Sequence, residues 1–218
     1  MQPKRITLFA GHYGSGKTNV AVNYALALAQ EGRLVTLADL DIVNPYFRSK
    51  DSAGVLEQAG VRVIASPYAN TNVDVPALPQ ELYAITEDQS RLAVLDIGGD
   101  DRGALALGRY APAILQENDY DMLFVFNASR PLTRDAQSAL EIMAEIEGAC
   151  RIPFTGIVHN THLGAETTAQ TLLDALPQAE ALCRLSGLPL RFTAATKAVA
   201  RALPLSPLLP ITLQPTIW

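Results

Sequence analysis

Ile6-Thr7-Leu8-Phe9-Ala10-Gly11-His12-Tyr13-Gly14-Ser15-Gly16-Lys17-Thr18 passes from a short apolar run through a glycine-rich turn into residues 17–30, a stretch apolar nearly all round. The first run reads as a buried strand. The last reads as a helix pressed against a sheet, with Gly32 as its stop. Between them Gly11 to Thr18 matches GxxxxGK[ST] in the strand, loop, helix context the pattern requires. Gly11, Gly14 and Gly16 let the backbone curl until successive N–H groups, those of His12, Tyr13 and Ser15 among them, face one hollow. The helix N-terminus adds its positive dipole end. Lys17 is placed to reach outer phosphates, and the Thr18 hydroxyl to meet Mg²⁺.

Similar β-rich runs recur at 34–38, 61–65, 92–95, 122–127, 154–158 and 190–193, with helix-like stretches between most of them. Continuous rather than alternating apolar strands imply a sheet covered on both faces. The expected fold is therefore α/β: a three-layer α/β/α phosphate-loop fold around a mostly parallel sheet of about seven strands. A later helix places Ala136, Ala139, Leu140, Met143 and Ile146 on one stripe, with Thr133 expected as cap and Gly148 as terminator. The expected division is a nucleotide-binding domain over 1–202 and a Pro-rich apolar arm over 203–218, extended because prolines forbid a continuous helix. That arm packs on its own domain or reaches a second subunit.

The chain has 218 residues, a formal net charge of −5, and no strong cluster of Lys and Arg. Such a surface offers little to a nucleic-acid backbone. Cys150 and Cys183 lie outside any CxxC spacing, which suits a reduced compartment. Neither a signal peptide nor a membrane-spanning run is legible, so a cytoplasmic protein is expected, with neither nucleic acid nor membrane as partner.

Two strand ends offer carboxylates. Asp39-Leu40-Asp41 would point both acids the same way unless the chain has already bent. Leu92 to Gly99 ends in Asp96-Ile97-Gly98-Gly99, an apolar strand, an acid and two glycines, the form of a Walker B strand entering a switch loop. Asp96 and Thr18 are the candidate Mg²⁺ group, and either Asp39 or Asp41 could face the phosphates. The plain alternative for Asp39 is to satisfy backbone amides; Asp100 and Asp101 read as solvated turn or cap residues.

The order GxxxxGKT, Asp-Leu-Asp, Asp-Ile-Gly-Gly resembles the MinD/ParA-like ATPases, the superfamily that also holds CobQ/CobB-type synthetases. Residues 41–49, 98–103, 127–131 and 160–168 resemble a less characterised branch of it. The resemblance implies ATP and Mg²⁺ as cofactors, Asp41 as the residue orienting attacking water beside Lys17, Asp39 as a nearby group of the Mg²⁺ network, Asn160 as the adenine contact, and a nucleotide-dependent homodimer. It departs from the superfamily at His12, where many members carry a second lysine that acts across the dimer; His12, Arg48, Arg102 or Arg130 is left to supply such charge. Asn160-Thr161-His162-Leu163 lacks the Asn-Lys-x-Asp pattern that selects guanine, which favours ATP over GTP.

Three functions remain. The first is an ATPase switch whose loops 41–48 and 98–103 answer to a protein partner. The second is a small-molecule kinase or synthetase resembling dethiobiotin synthetase or CobB-type ligases, with its substrate over 44–48 or 70–74. The third is a sensor that binds nucleotide without turnover.

Overall fold

The protein is described by a computed structural model covering residues 2–40, 50–65, 83–98, 104–105 and 107–213. Its strands are β1 (Ile6–Ala10), β2 (Val35–Leu40), β3 (Arg62–Ala65), β4 (Leu92–Ile97), β5 (Tyr120–Phe126), β6 (Gly156–His159), β7 (Leu190–Thr196) and β8 (Leu208–Ile211). They form one eight-stranded sheet in the order β3-β2-β4-β1-β5-β6-β7-β8, and every neighbouring pair is parallel. The helices among the described residues are α1 (Lys17–Gln30), α2 (Lys50–Gln58), α3 (Tyr83–Glu87), α4 (Ala111–Glu117), α5 (Ala136–Cys150), α6 (Ala169–Ser186) and α7 (Lys197–Ala200).

Strand alternation separates two cores. Phe9, Leu37, Val94, Val125, Val158 and Phe192 meet Val20, Ala21, Ala25 and Leu28 of α1 on one face. Ile6, Leu8, Ala38, Leu95, Phe124 and Ile157 meet Ala139 and Met143 of α5 and Ala179 and Leu182 of α6 on the other. That division explains why α1 is apolar round most of its circumference, as its sequence indicates, while α5 and α6 carry a solvated stripe. At the opposite end of the sheet from the glycine loop, Arg5 is held in a buried ion pair with Glu117 at the end of α4.

Two details of α5 differ from expectation. Its cap is Asp135, whose carboxylate accepts from the Ser138 amide at 2.9 Å. Thr133 is instead buried in a 3₁₀ turn, its hydroxyl donating to the Asn127 carbonyl at 2.8 Å. The helix also runs past Gly148 to Cys150 and closes on Arg151 at φ 60. A glycine costs a helix interior only about 1 kcal/mol, which the packing of Met143 and Cys150 offsets.

The eighth strand comes from the Pro-containing stretch after residue 203. Leu209 and Ile211 are buried against the α1 face, and the Thr193 amide donates to the Pro207 carbonyl at 3.0 Å. Alternation from that bond turns the backbone of residues 208 and 210 toward the free edge. Pro210 has no N–H to offer there, which blunts the edge against strand addition.

Candidate functional site

Parallel strands point their carboxyl ends the same way, so β1, β2, β4, β5 and β6 all deliver their following loops to one end of the sheet. The glycine loop leaves β1 at that end. Gly14 and Gly16 take φ 77 and 85, and Gly16 caps α1 without any side-chain hydrogen bond. The amides of a helix's first turn point toward its start, which here is the hollow of the glycine loop. Lys17 is only 5% exposed and Ser15 is fully buried, its Oγ without a hydrogen-bond partner among the described residues; contrary to expectation its amide does not stand open to the hollow but donates to the His12 carbonyl at 3.0 Å, closing the turn of the loop. His12 is half-buried, its Nδ1 donating to the Tyr13 carbonyl at 3.0 Å, whereas the Tyr13 side chain is 64% exposed.

The loop has no room for larger residues. A Cβ on Gly11 would stand 2.8 Å from the Val125 carbonyl, one on Gly14 would stand 3.1 Å from Arg130 Nε, and one on Gly16 would stand 2.4 Å from Asn160 Nδ2. Strand β5, the loop that follows it and the residue after β6 therefore set the loop's path.

Asp39 and Asp96 are cross-strand partners in the β2–β4 register, and both are buried. Each follows by two residues a side chain of the α1 core, Leu37 and Val94. Both carboxylates consequently lie on the α1 side of the sheet, at the start of that helix. The Thr18 hydroxyl donates to Asp96 Oδ2 at 2.6 Å. The donor set is a hydroxyl and two carboxylates, all hard oxygen groups, which suits Mg²⁺. Asp41, Arg48, Arg102 and the stretches 44–48, 70–74 and 99–103 lie outside the described residues.

Asn160 is brought to the loop from the end of β6. It is buried, its Nδ2 donates to the Ser15 carbonyl at 2.8 Å, and its own amide donates to the Phe126 carbonyl at 2.8 Å. A contact the sequence did not reveal lies beside it: Arg130 Nε donates to the Gly14 carbonyl at 2.7 Å. The run Asn127-Ala128-Ser129-Arg130-Pro131 drew notice by resemblance, but its partner on the glycine loop needs the β1–β5 adjacency to be seen. His162 also stands over the loop, 2.8 Å from where a Gly16 Cβ would be. Burial first, and then the Arg130 charge, lower its pKa below 6.5, so the ring is neutral at neutral pH.

A parallel sheet with the glycine loop leaving its central strand, a lysine beneath that loop and a Thr–Asp pair at the start of the first helix define a P-loop nucleotide-binding NTPase. The chain belongs to the CobQ/CobB/MinD/ParA nucleotide binding domain family (CbiA), matched over residues 6–204. No curated protein matches it significantly by sequence. Solved structures with a similar fold include cell division protein FtsY from Thermotoga maritima, at TM-score 0.58 and 19% identity over 89% of this chain and 63% of that one. Chloroplast FtsY from Physcomitrella patens gives TM-score 0.58 at 17% identity, covering 88% and 58%. The signal recognition particle receptor FtsY from Elizabethkingia anophelis in complex with GDP gives 0.53 at 16%, covering 89% and 58%. The chain thus spans about three fifths of the FtsY chains it matches, and at this identity the likeness concerns the fold. No described helix is long and apolar enough to cross a membrane.

Proposed function

We propose that this protein is a magnesium-dependent ATPase that acts as a switch, binding and releasing a protein partner as its nucleotide changes. The observation that supports this most is the register of Asp39 with Asp96 beside the Thr18 hydroxyl. Two buried acids on adjacent strands are costly unless a cation or firm hydrogen bonds answer them. Thr18, Asp96 and Asp39 are the residues that would hold Mg²⁺. Bound there, the ion neutralises charge on the outer phosphates of the nucleotide.

In this proposal the amides of 11–18 and the Lys17 ammonium hold the phosphates, and Asp41 orients the attacking water. β2 and β4 end at Leu40 and Ile97, so the chain enters segments 41–48 and 98–103 directly after the strands that carry the two acids. That continuity is what suits the two segments to report nucleotide state. ATP is proposed over GTP because Leu163, which stands where a guanine-selecting loop carries an aspartate, is an exposed apolar side chain with no carboxylate to offer a base. A nucleotide-dependent homodimer and a cytoplasmic location complete the proposal.

The family description itself includes CobQ and CobB, which keeps a small-molecule kinase or synthetase as the second reading. One assay separates the two. Phosphate release from magnesium ATP is measured alone, with a metabolite pool, and with a cell extract from which small molecules have been removed. Stimulation by the extract supports the switch, and ADP formation that needs a metabolite supports the synthetase. Lys17→Ala should abolish nucleotide binding, and Asp41→Ala should leave binding while slowing hydrolysis by about 10²-fold or more. Tight binding by Lys17→Ala would refute the phosphate loop as the site.

A further inference from the structure

We propose that Arg130 is a positioning residue of the phosphate loop, a latch that with Asn160 sets how fast nucleotide leaves. The proposal rests on the nucleotide site described above and adds to it a determinant of release.

A phosphate loop works only if its amides face inward, and peptide planarity means that its carbonyls must then face outward. An outward carbonyl at a half-buried site needs a donor. Here two successive carbonyls receive side-chain donors from two different strands. Arg130, after β5, gives Nε to Gly14 at 2.7 Å. Asn160, after β6, gives Nδ2 to Ser15 at 2.8 Å. Of the two peptide planes so held, the first carries the Ser15 amide, which closes the turn of the loop by donating to the His12 carbonyl at 3.0 Å, and the second carries the Gly16 amide, within the phosphate-binding run.

The Arg130 backbone is itself over-determined. Its amide donates to the Asn127 carbonyl at 3.2 Å, and its carbonyl accepts from the Thr133 amide at 3.1 Å. Asn127 Oδ1 takes the Ser129 amide at 2.9 Å, and the Ala128 amide donates to Thr161 Oγ1 at 3.0 Å. The last bond ties the loop after β5 to the loop after β6, so the two latch residues stand on one cross-braced platform. Among the described residues no carboxylate pairs with Arg130, and its hydrogen-bond acceptor is the glycine loop. A side chain that served surface solubility would not be aimed at a backbone carbonyl from a loop held this tightly.

The test is the release of fluorescent ADP and of a fluorescent non-hydrolysable ATP analogue from the full chain, chased with unlabelled nucleotide. Arg130→Ala should speed release of both by the same factor, roughly tenfold to a hundredfold, the scale of one hydrogen bond from a charged donor. Arg130→Lys keeps a charged donor and should recover most of that loss. Thermal melting of the nucleotide-free variants checks that they are folded. Faster release of the triphosphate alone would mean that Arg130 touches the outer phosphate, and unchanged release of both would mean that it does nothing for the loop. Either result overturns the latch. Loss of binding in Lys17→Ala in the same assay leaves the nucleotide site standing when the latch fails, whereas a wild-type chain that binds neither nucleotide removes both.

Discussion

His159 is fully buried at the end of β6, and neither of its ring nitrogens has a hydrogen-bond partner among the described residues. It shares a register position with Phe126, on the α5 side of the sheet. Burial alone depresses its pKa from 6.5 to about 4. Between these two values the unfolded chain binds a proton that the folded chain refuses, so the unfolded state gains as pH falls. The stability in question is complete above the unfolded pKa and is lost as pH drops through the folded one. At about 1.4 kcal/mol per unit, the cost reaches about 3 kcal/mol at pH 4, a large share of a stability that for most domains is about 5–15 kcal/mol. The assay is urea denaturation from pH 7 to pH 4 on the wild type and on His159→Leu, which keeps an apolar side chain of similar bulk. At pH 7 the variant should be more stable by about 1 kcal/mol, because an unsatisfied buried polar group has been removed. The difference should widen by about 3 kcal/mol toward pH 4. Asp88 and Asp135, whose carboxyls are held below 3.8 by hydrogen bonds from Ser90 and Ser138, are common to both proteins and cancel. Stability curves that stay parallel through the window would refute the account, since they would mean that the imidazole takes its proton in the folded state as readily as in the unfolded one.

Gly16→Ala should weaken magnesium nucleotide binding at least tenfold by calorimetry and destabilise the fold by about 1–2 kcal/mol, because the residue sits at φ 85 and the new methyl would meet Asn160. Binding at wild-type affinity would show that the loop can relax around it. Glu117→Ala should cost about 3–5 kcal/mol in urea unfolding, because it leaves the Arg5 guanidinium buried without its carboxylate. A loss below about 1 kcal/mol would class the pair with exposed ion pairs.

Sequence made the centre of the molecule legible because there one residue type answers one physical demand. Gly14 and Gly16 need positive φ, and the run from Ile6 to Ala10 is buried on both sides, so pattern and structure coincide residue for residue. Strand ends were less legible. The apolar run of β2 stops at Ala38 and that of β4 at Leu95, yet both strands continue through an aspartate to Leu40 and Ile97. A ladder is made by backbone groups and tolerates a buried acid where a partner such as the Thr18 hydroxyl is waiting. Hydropathy along one strand cannot report a donor that arrives from a helix. β8 was hidden for the opposite reason: Pro204, Pro207 and Pro210 argue against a strand, but the first two precede it, and Pro210 within it is accommodated by an edge position, one side of which needs no donors.

The contacts on the glycine loop carry the same lesson one step further. Arg130, Asn160 and His162 are distant from Gly14, Ser15 and Gly16 in sequence, and they meet because β5 and β6 follow β1 in sheet order and all end at the same edge. A GxxxxGK[ST] match specifies only the inner side of the loop, the amides that face a phosphate. Its outer side, the carbonyls and the side chains that hold them, is left to whatever the neighbouring strands deliver. Two proteins with the same eight loop residues can therefore differ widely in how long they keep a nucleotide. In this chain that difference is written in the loops after β5 and β6, so substitutions there should change residence time before they change whether nucleotide binds at all.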